Sequence, residues 1–187
     1  KEGVNDMARK ETITKDAIIQ AAFALLQEEG IEQVTARKLA AKANCSTQPI
    51  FRFYKSMDEV TAELAEKSCE FFQDYYDRFQ RQTVTPFVNL GQAYIKFAGE
   101  HRELFKFIFL SPDRCGRSMY DILNGSKGNV SREIQSATAQ GSRNAGDLFT
   151  KMWIFIHGAA CMSLTGDYDL SDNETMQLLR DSYHSFK

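Results

Sequence analysis

Residues 34–59 read VTARKLAAKANCSTQPIFRFYKSMDE and carry the most informative local pattern of the chain. Thr35 is a residue type that caps the start of a helix, and Val34 and Leu39 stand at the two positions of a hydrophobic staple. Asn44 follows this helix, and asparagine tolerates the positive φ that a tight turn between two helices requires. The stretch therefore predicts two short helices joined by a tight turn.

The second of these helices is predicted to begin directly after the turn. Ser46 is its expected N-cap, and Cys45 and Ile50 form a second staple. Pro49 falls in the first turn of the helix, where its missing N–H costs little. The segment 35–54 thus has the pattern of a helix-turn-helix.

Helices are predicted on both sides of this segment. One begins at Thr14 as its N-cap and ends at Gly30, a residue type that closes helices. Another begins at a Ser-x-x-Glu capping box formed by Ser56 and Glu59. Its buried face is expected to carry Val60, Leu64, Phe71, Tyr75 and Phe79.

Helical periodicity continues to the end of the chain. Helices are expected from Thr85 onward, over 101–110, over about 143–165 and, with Ser171 as its cap, over about 171–186, whereas glycines interrupt 113–141. We expect an all-α protein of about nine helices. Residues 1–56 would form a three-helix domain containing the helix-turn-helix, and residues 57–187 a larger helical domain. Residues 1–12 are polar and aperiodic, which is typical of a flexible arm.

The composition is that of a globular protein, with 43% hydrophobic and 26% charged residues among 187. The longest apolar stretch, Met152 to Leu164, is too short for a membrane span, which needs about 20 residues. No signal peptide is apparent, so a cytoplasmic location is expected. The four cysteines are far apart, which indicates reduced thiols rather than disulfides or a zinc site. No metal or other cofactor is expected.

The charge distribution points to a polyanionic partner. Residues 1–55 carry nine Lys or Arg and seven Asp or Glu, a balance of +2, whereas residues 56–187 carry fourteen and eighteen, a balance of −4. No acid lies between Glu32 and Asp58. A local positive field can bind nucleic acid even in a slightly acidic protein. The basic residues of this acid-free stretch are Arg37, Lys38, Lys42, Arg52 and Lys55.

A helix-turn-helix binds DNA by placing its second helix in the major groove, where short polar side chains reach base edges. Glutamine is a natural partner for adenine, and basic or hydroxyl groups contact phosphates. The predicted DNA-contacting residues are therefore Thr35, Arg37, Ser46, Thr47, Gln48, Arg52, Tyr54 and Lys55.

The segment from Thr14 to Leu64 resembles the N-terminal domain of the tetracycline-repressor (TetR) family of regulators. The resemblance rests on Val34-Thr35-x-Arg37-x-Leu39-Ala40-x-x-Ala43 and on Ser46…Ile50-Phe51-x-Phe53-Tyr54-x-Ser56…Glu59, without a gap. The chain departs from the family pattern at Asn44, usually Gly, at Phe51, usually Tyr, and at Met57, usually Lys. The last two departures remove a hydroxyl and a charge that often touch phosphate in the family.

The C-terminal part resembles the family's Trp-His-Gly type of ligand-binding and dimerisation domain. The matching segments are Phe97-x-x-Glu100-His101-x-Glu103-Leu104-Phe105 and Trp153-x-x-x-His157-Gly158. The resemblance implies a homodimer formed through the last two helices, 143–165 and 171–186, and an inverted-repeat DNA operator. It also implies repression relieved by a small-molecule effector. The candidate ligand-binding residues are Phe97, Phe105, Phe109, Tyr120, Phe155 and His157.

An enzyme and a protein-interaction module are the two other classes of function that compete with this interpretation. An enzyme is disfavoured because the three histidines are scattered and no metal-binding spacing or glycine-rich phosphate loop occurs. A helical protein-interaction module remains the alternative. It predicts weak salt dependence with DNA and no sequence preference, whereas a DNA reader predicts the reverse.

Overall fold

The computed structural model describes residues 13–113 and 116–187, which contain ten α-helices and no β-strand. The expected all-α class is confirmed, with one helix more than the nine expected. The helices are α1 (Lys15–Glu29), α2 (Ala36–Lys42), α3 (Gln48–Phe53), α4 (Met57–Arg78), α5 (Val88–Glu100), α6 (Arg102–Phe105), α7 (Met119–Asn124), α8 (Asn129–Ala139), α9 (Ala145–Thr165) and α10 (Asp172–Phe186). The arm predicted over 1–12 and the thiol of Cys115 lie outside the described residues.

The chain divides into two compact units, one ending at Leu64 and the other spanning Ala65–Lys187. The division lies inside α4, a few residues beyond the predicted boundary between 56 and 57. That residues 1–56 and 57–187 are separate functional domains stays a prediction. Among the described residues, no helix combines the length and apolar content that crossing a bilayer requires.

The N-terminal unit is organised by the caps that its sequence predicts. The side-chain oxygen of Thr14 accepts a hydrogen bond from the backbone N–H of Ala17, and that of Thr35 accepts one from Lys38. Gly30 ends α1 with a φ of 87°, and Asn44 lies in the turn after α2 with a φ of 53°. Because these features depend on near neighbours in sequence, local chemistry specifies where these helices begin and end.

Two details at the helix starts differ from the prediction. α3 begins at Gln48, one residue later than expected, with Thr47 as an N-cap that makes no capping hydrogen bond through its side chain. At the start of α4, the Ser56 hydroxyl accepts from the Glu59 N–H as expected, but the Glu59 carboxylate accepts from the N–H of Lys55 rather than from that of Ser56. The Glu59 side chain thereby ties the end of the helix-turn-helix segment to the start of α4.

The buried face of α4 agrees with the prediction at Val60 and Leu64 and differs from it farther along the helix. Its fully buried side chains recur at every fourth residue as Val60, Leu64, Ser68, Phe72 and Tyr76. Phe71, Tyr75 and Phe79 were expected on this face but are half-buried. Both rows follow helical spacing. The row of Phe71, Tyr75 and Phe79 is the more apolar in sequence, because the row that is buried contains Ser68.

The centre of the C-terminal unit is α5, which packs against both α9 and α10. Nearly every residue of α5 from Val88 to Ala98 is buried. Gly91 lies at the closest approach, since a Cβ there would come within 2.9 Å of the Ile156 side chain and 3.0 Å of Leu179. Within one chain, α9 leaves Ile154 and Met162 exposed.

The remaining helices surround this centre. α6 continues into a π-helical turn over Lys106–Leu110, and Ser111 ends it in an extended conformation, in agreement with the short helix expected over 101–110. The undecided stretch 113–141 contains α7 and α8. α10 begins with the predicted Ser171 cap, which forms a full capping box with Glu174. α9 and α10 pack against each other.

Candidate nucleic-acid interface

The polar residues predicted to contact DNA are almost all at the surface of the N-terminal unit. The exposed side chains are Thr35, Arg37, Ser46, Thr47, Gln48, Arg52 and Lys55. Leu39 and Ile50, which anchor α2 and α3 in the core, are fully buried. A concave surface carries Ser46, Gln48 and Arg52 together. The fold thus presents these short polar and cationic groups on elements that are themselves fixed by apolar packing.

The positive charge of this surface is smaller than the acid-free stretch suggested. The ammonium of Lys38 lies 2.5 Å from a carboxylate oxygen of Glu29, and that of Lys42 lies 2.6 Å from one of Glu28. Both acids belong to the end of α1, which folds beside α2. Although the stretch itself lacks acids, two of its basic side chains are therefore paired with carboxylates of α1 in the folded structure.

Three cations keep their charge uncompensated. Arg37, Arg52 and Lys55 form no ion pair with any residue in the described part of the chain. The Arg52 guanidinium lies 4.9 Å from the centre of the Phe53 ring, which holds it near the surface of α3. These three side chains are the available partners for phosphates, which bind proteins chiefly through Arg and Lys.

Tyr54 does not occupy the exposed position predicted for it. Its side chain is 3% exposed, and the Lys15 ammonium lies 5.0 Å from the centre of its ring while pairing with Glu63 at 2.5 Å. Burial raises the pKa of the Tyr54 hydroxyl, and the nearby Glu63 carboxylate raises it further. Tyr54 is a core residue of the N-terminal unit here, because the apolar ring completes the packing at the end of α3.

Two exposed rings on α3 were absent from the predicted set. Phe51 is 49% exposed and Phe53 is 37% exposed. Exposed aromatic rings on a groove-entering helix can make apolar contact with thymine methyl groups. The sequence signal for Phe51 was its departure from the usual family tyrosine, whereas Phe53 offered no signal beyond its spacing.

The candidate ligand-binding residues of the C-terminal unit lie in two kinds of place. Phe97, Phe105 and Phe109 are fully buried and surround the ring of Tyr94 or pack on one another. The Tyr94 hydroxyl lies 2.9 Å from Nδ1 of His157, so His157 joins this aromatic cluster.

The other two candidates lie apart from that cluster. Tyr120 is 41% exposed, and its ring is near Phe149, while Phe155 is half-buried against Phe186. None of the six candidates lines the cavity of about 840 Å³ between α4, α5 and the segment 163–175. A ligand-binding role for them stays a prediction.

Comparison with known proteins identifies the N-terminal unit. Residues 18–64 match the model of the TetR_N family, described as bacterial regulatory proteins of the tetR family. No curated protein sequence matches this chain significantly.

Solved structures share the fold over almost the whole chain. A putative transcriptional regulator of the TetR family from Vibrio parahaemolyticus superposes with a TM-score of 0.67 and 15% identity, covering 91% of this chain and 96% of its own. A TetR-family transcriptional regulator from Haemophilus influenzae gives 0.62 and 18%, covering 90% and 93%. A TetR-like transcriptional regulator from Rhodococcus sp. RHA1 gives 0.59 and 16%, covering 90% and 92%. Residues 18–64 therefore match the family model of the tetR bacterial regulatory proteins, and the chain as a whole shares the all-helical fold of these solved structures.

Proposed function

We propose that the protein is a homodimeric, sequence-specific DNA-binding regulator of transcription. The observation that carries the proposal is the exposed set of polar and cationic side chains on α2, α3 and the residues that follow them. A reader of this kind needs phosphate contacts for position and base contacts for specificity. It acts without catalysis, and as a regulator of bacterial transcription it would work in the cytoplasm.

The two kinds of contact divide between different residues. Gln48 is exposed at the first position of α3, where its amide can pair with the N6 and N7 edge of adenine. Arg37 and Lys55 have uncompensated charges and are suited to the phosphate backbone. Ser46, Thr47, Arg52 and the hydroxyl of Thr35 would add contacts around them. Tyr54 is no longer a candidate, since its side chain is enclosed in the core.

The exposed face of α9 supports a homodimer. Ile154 is 68% exposed and Met162 is 47% exposed, and Gly158 lies one turn from each on the same side of the helix. Apolar residues with a glycine between them permit a close approach of a second helix, and α10 lies beside α9 to widen the surface. The partner we propose is a second copy of the chain, bound through α9 and α10. Such a dimer would read an inverted repeat.

Repression relieved by a small-molecule effector is the form of regulation that we propose. Three residues separate the end of α3 from the start of α4, and this single helix extends to Arg78, beside the large cavity of the C-terminal unit. An effector that binds one position of α4 better than another would shift the population of DNA-competent dimers. An effector with equal affinity for both states would shift nothing.

The proposal is tested by selecting bound sequences from random duplex DNA with the full-length protein. We expect enrichment of one palindromic site, because a dimer with two identical readers selects two identical half-sites. A pool that shows no preferred sequence after selection, with binding that hardly depends on salt, would instead favour the protein-interaction module.

Gln48→Ala is expected to relax the preference at one base position of each selected half-site, with a loss of about 1–3 kcal/mol of discrimination there. The physical reason is the loss of the paired amide contact. The measurement is competition between the selected duplex and its single-base variants. Gln27→Ala, which removes an exposed glutamine of α1 outside the reader, is the matched control and should leave the preference unchanged. Equal discrimination by the Gln48 variant and wild type would remove Gln48 from the interface.

A further inference from the structure

The C-terminal unit contains a cavity of about 840 Å³. Its lining residues are not the predicted ligand-binding residues, and they differ from them in chemistry. One wall is formed by the second half of α4, another by α5, and a third by the segment 163–175, which runs from the end of α9 to the first residues of α10. Its volume lies within the range of sites for small molecules, about 300–1,000 Å³. The aromatic cluster around Tyr94 does not line it, although the rings of Phe71 and Tyr75 contact Phe97.

Four aromatic side chains line this cavity. Phe71, Tyr75 and Phe79 follow one another at four-residue spacing along α4 and just past its end, and Tyr168 contributes from the segment 163–175. All four are half-buried, so each ring is only partly covered by its neighbours. The faces of aromatic rings carry negative charge density and attract organic cations. The half-buried row of α4, which the sequence assigned to the core, therefore lines a cavity.

The charged side chains of the cavity leave a surplus of one negative charge. The acids are Asp74, Glu100 and Asp172, and the bases are Arg78 and Lys96, a balance of −1. Arg78 pairs with Asp74 at 3.8 Å, and Lys96 lies 3.5 Å from Asp172 and 4.0 Å from Glu100. Since both bases are already paired, an incoming anion finds no unpaired positive partner among the lining side chains.

The side chain of Gln92 gives independent evidence that a hydrogen-bond donor is missing at this cavity. Its side chain lines the cavity but is only 5% exposed, and its Nε2 donates to the backbone oxygen of Asp172 at 3.2 Å. Its Oε1 is buried and has no hydrogen-bond partner in the described part of the chain. A buried acceptor without a donor is costly, so a bound N–H group that reaches it would gain affinity.

We propose that this cavity binds an organic cation, an ammonium carried on an aromatic or aliphatic body, which donates an N–H to Gln92 Oε1. The rings of Phe71, Tyr75, Phe79 and Tyr168 enclose its apolar part, and the surplus carboxylate balances its charge. The site does not depend on the proposed regulatory function, since a chain that failed to bind DNA would still bind the cation.

The test is isothermal titration of the full-length protein, without DNA, with two matched probes. 2-(1-Naphthyl)ethylamine is an ammonium at pH 7, and 3-(1-naphthyl)propionate carries a carboxylate on the same rings. We expect the ammonium to bind once per chain with a dissociation constant below about 1 mM, and at least about tenfold more tightly than the carboxylate. Equal binding of the two probes, or binding of neither, would overturn the proposal.

Substitutions then locate the bound ammonium. Gln92→Leu removes the buried acceptor and should weaken binding of the ammonium by about tenfold. Asp172→Asn, at an exposed position that tolerates change, should weaken this binding about threefold by removing the surplus charge. Gln135→Leu, on the exposed side of α8 and outside the cavity, is the control and should leave the affinity unchanged. Unaltered affinity in both the Gln92 and the Asp172 variants would place the ammonium elsewhere and contradict the assignment.

Discussion

Replacing Phe72 by alanine is expected to lower the free energy of unfolding of the C-terminal unit by about 3–5 kcal/mol. Phe72 is fully buried on the inner face of α4. Its ring makes edge-to-face contacts with Phe97, Phe109 and Tyr94, at centroid distances of 5.1, 5.0 and 6.0 Å. Truncation would leave a cavity among rigid rings that cannot collapse to fill it, so the loss should approach the upper end of the range.

Chemical denaturation monitored by the fluorescence of the single tryptophan, Trp153, measures this effect in the same unit. Tyr120→Ala is the control, because it removes an aromatic side chain that is 41% exposed and should cost less than about 1.5 kcal/mol. If the Phe72 variant lost no more stability than the Tyr120 variant, the inner face of α4 would have been placed wrongly.

Ile154→Asp is expected to convert the proposed dimer to a monomer and to reduce affinity for the selected palindrome by at least about 100-fold. Ile154 is 68% exposed in a single chain, so an aspartate there costs little in the monomer. In a dimer through α9 the substitution would bury two uncompensated carboxylates facing each other across the two-fold axis. DNA affinity is lost because, in a dimer, binding of one DNA-binding domain raises the effective concentration of the other at its half-site.

Sedimentation and DNA titration measure the two parts of this prediction separately. The wild type should sediment as twice the chain mass of 21.3 kDa, and the variant as one chain. Gln135→Asp adds the same charge to an exposed position of α8 and should remain dimeric. A monomeric wild type, or an Ile154 variant that remains dimeric, would contradict the proposed interface.

The elements that could be predicted from sequence depend on chemistry within a few residues. The caps at Thr14, Thr35 and Ser171 and the turn at Asn44 lie where their residue types predict, because a capping hydrogen bond or a positive φ involves only near neighbours. The match of residues 18–64 to the family model reflects the same locally specified pattern.

Features that depend on distant residues could not be read in the same way. The pairing of Lys38 and Lys42 with the end of α1 requires α1 to lie beside α2, which no local pattern states. The inner face of α4 was misassigned because two rows of apolar residues run along it, and only packing against α5 decides between Phe72 and Phe71. Tyr54 was expected to be exposed for a similar reason, since a tyrosine suits either a surface or a core.

The salt dependence of affinity for the selected duplex shows whether the surface of α2, α3 and Lys55 binds DNA. Each phosphate neutralised by the protein contributes about −0.9 to the slope of log K against log salt. We predict that Lys55→Ala, which removes an uncompensated charge, reduces the magnitude of the slope by about 1 per chain. Lys42→Ala removes a charge already paired with Glu28 and should change it much less. A slope near zero for the wild type, or one that the Lys55 substitution leaves unchanged, would contradict the account.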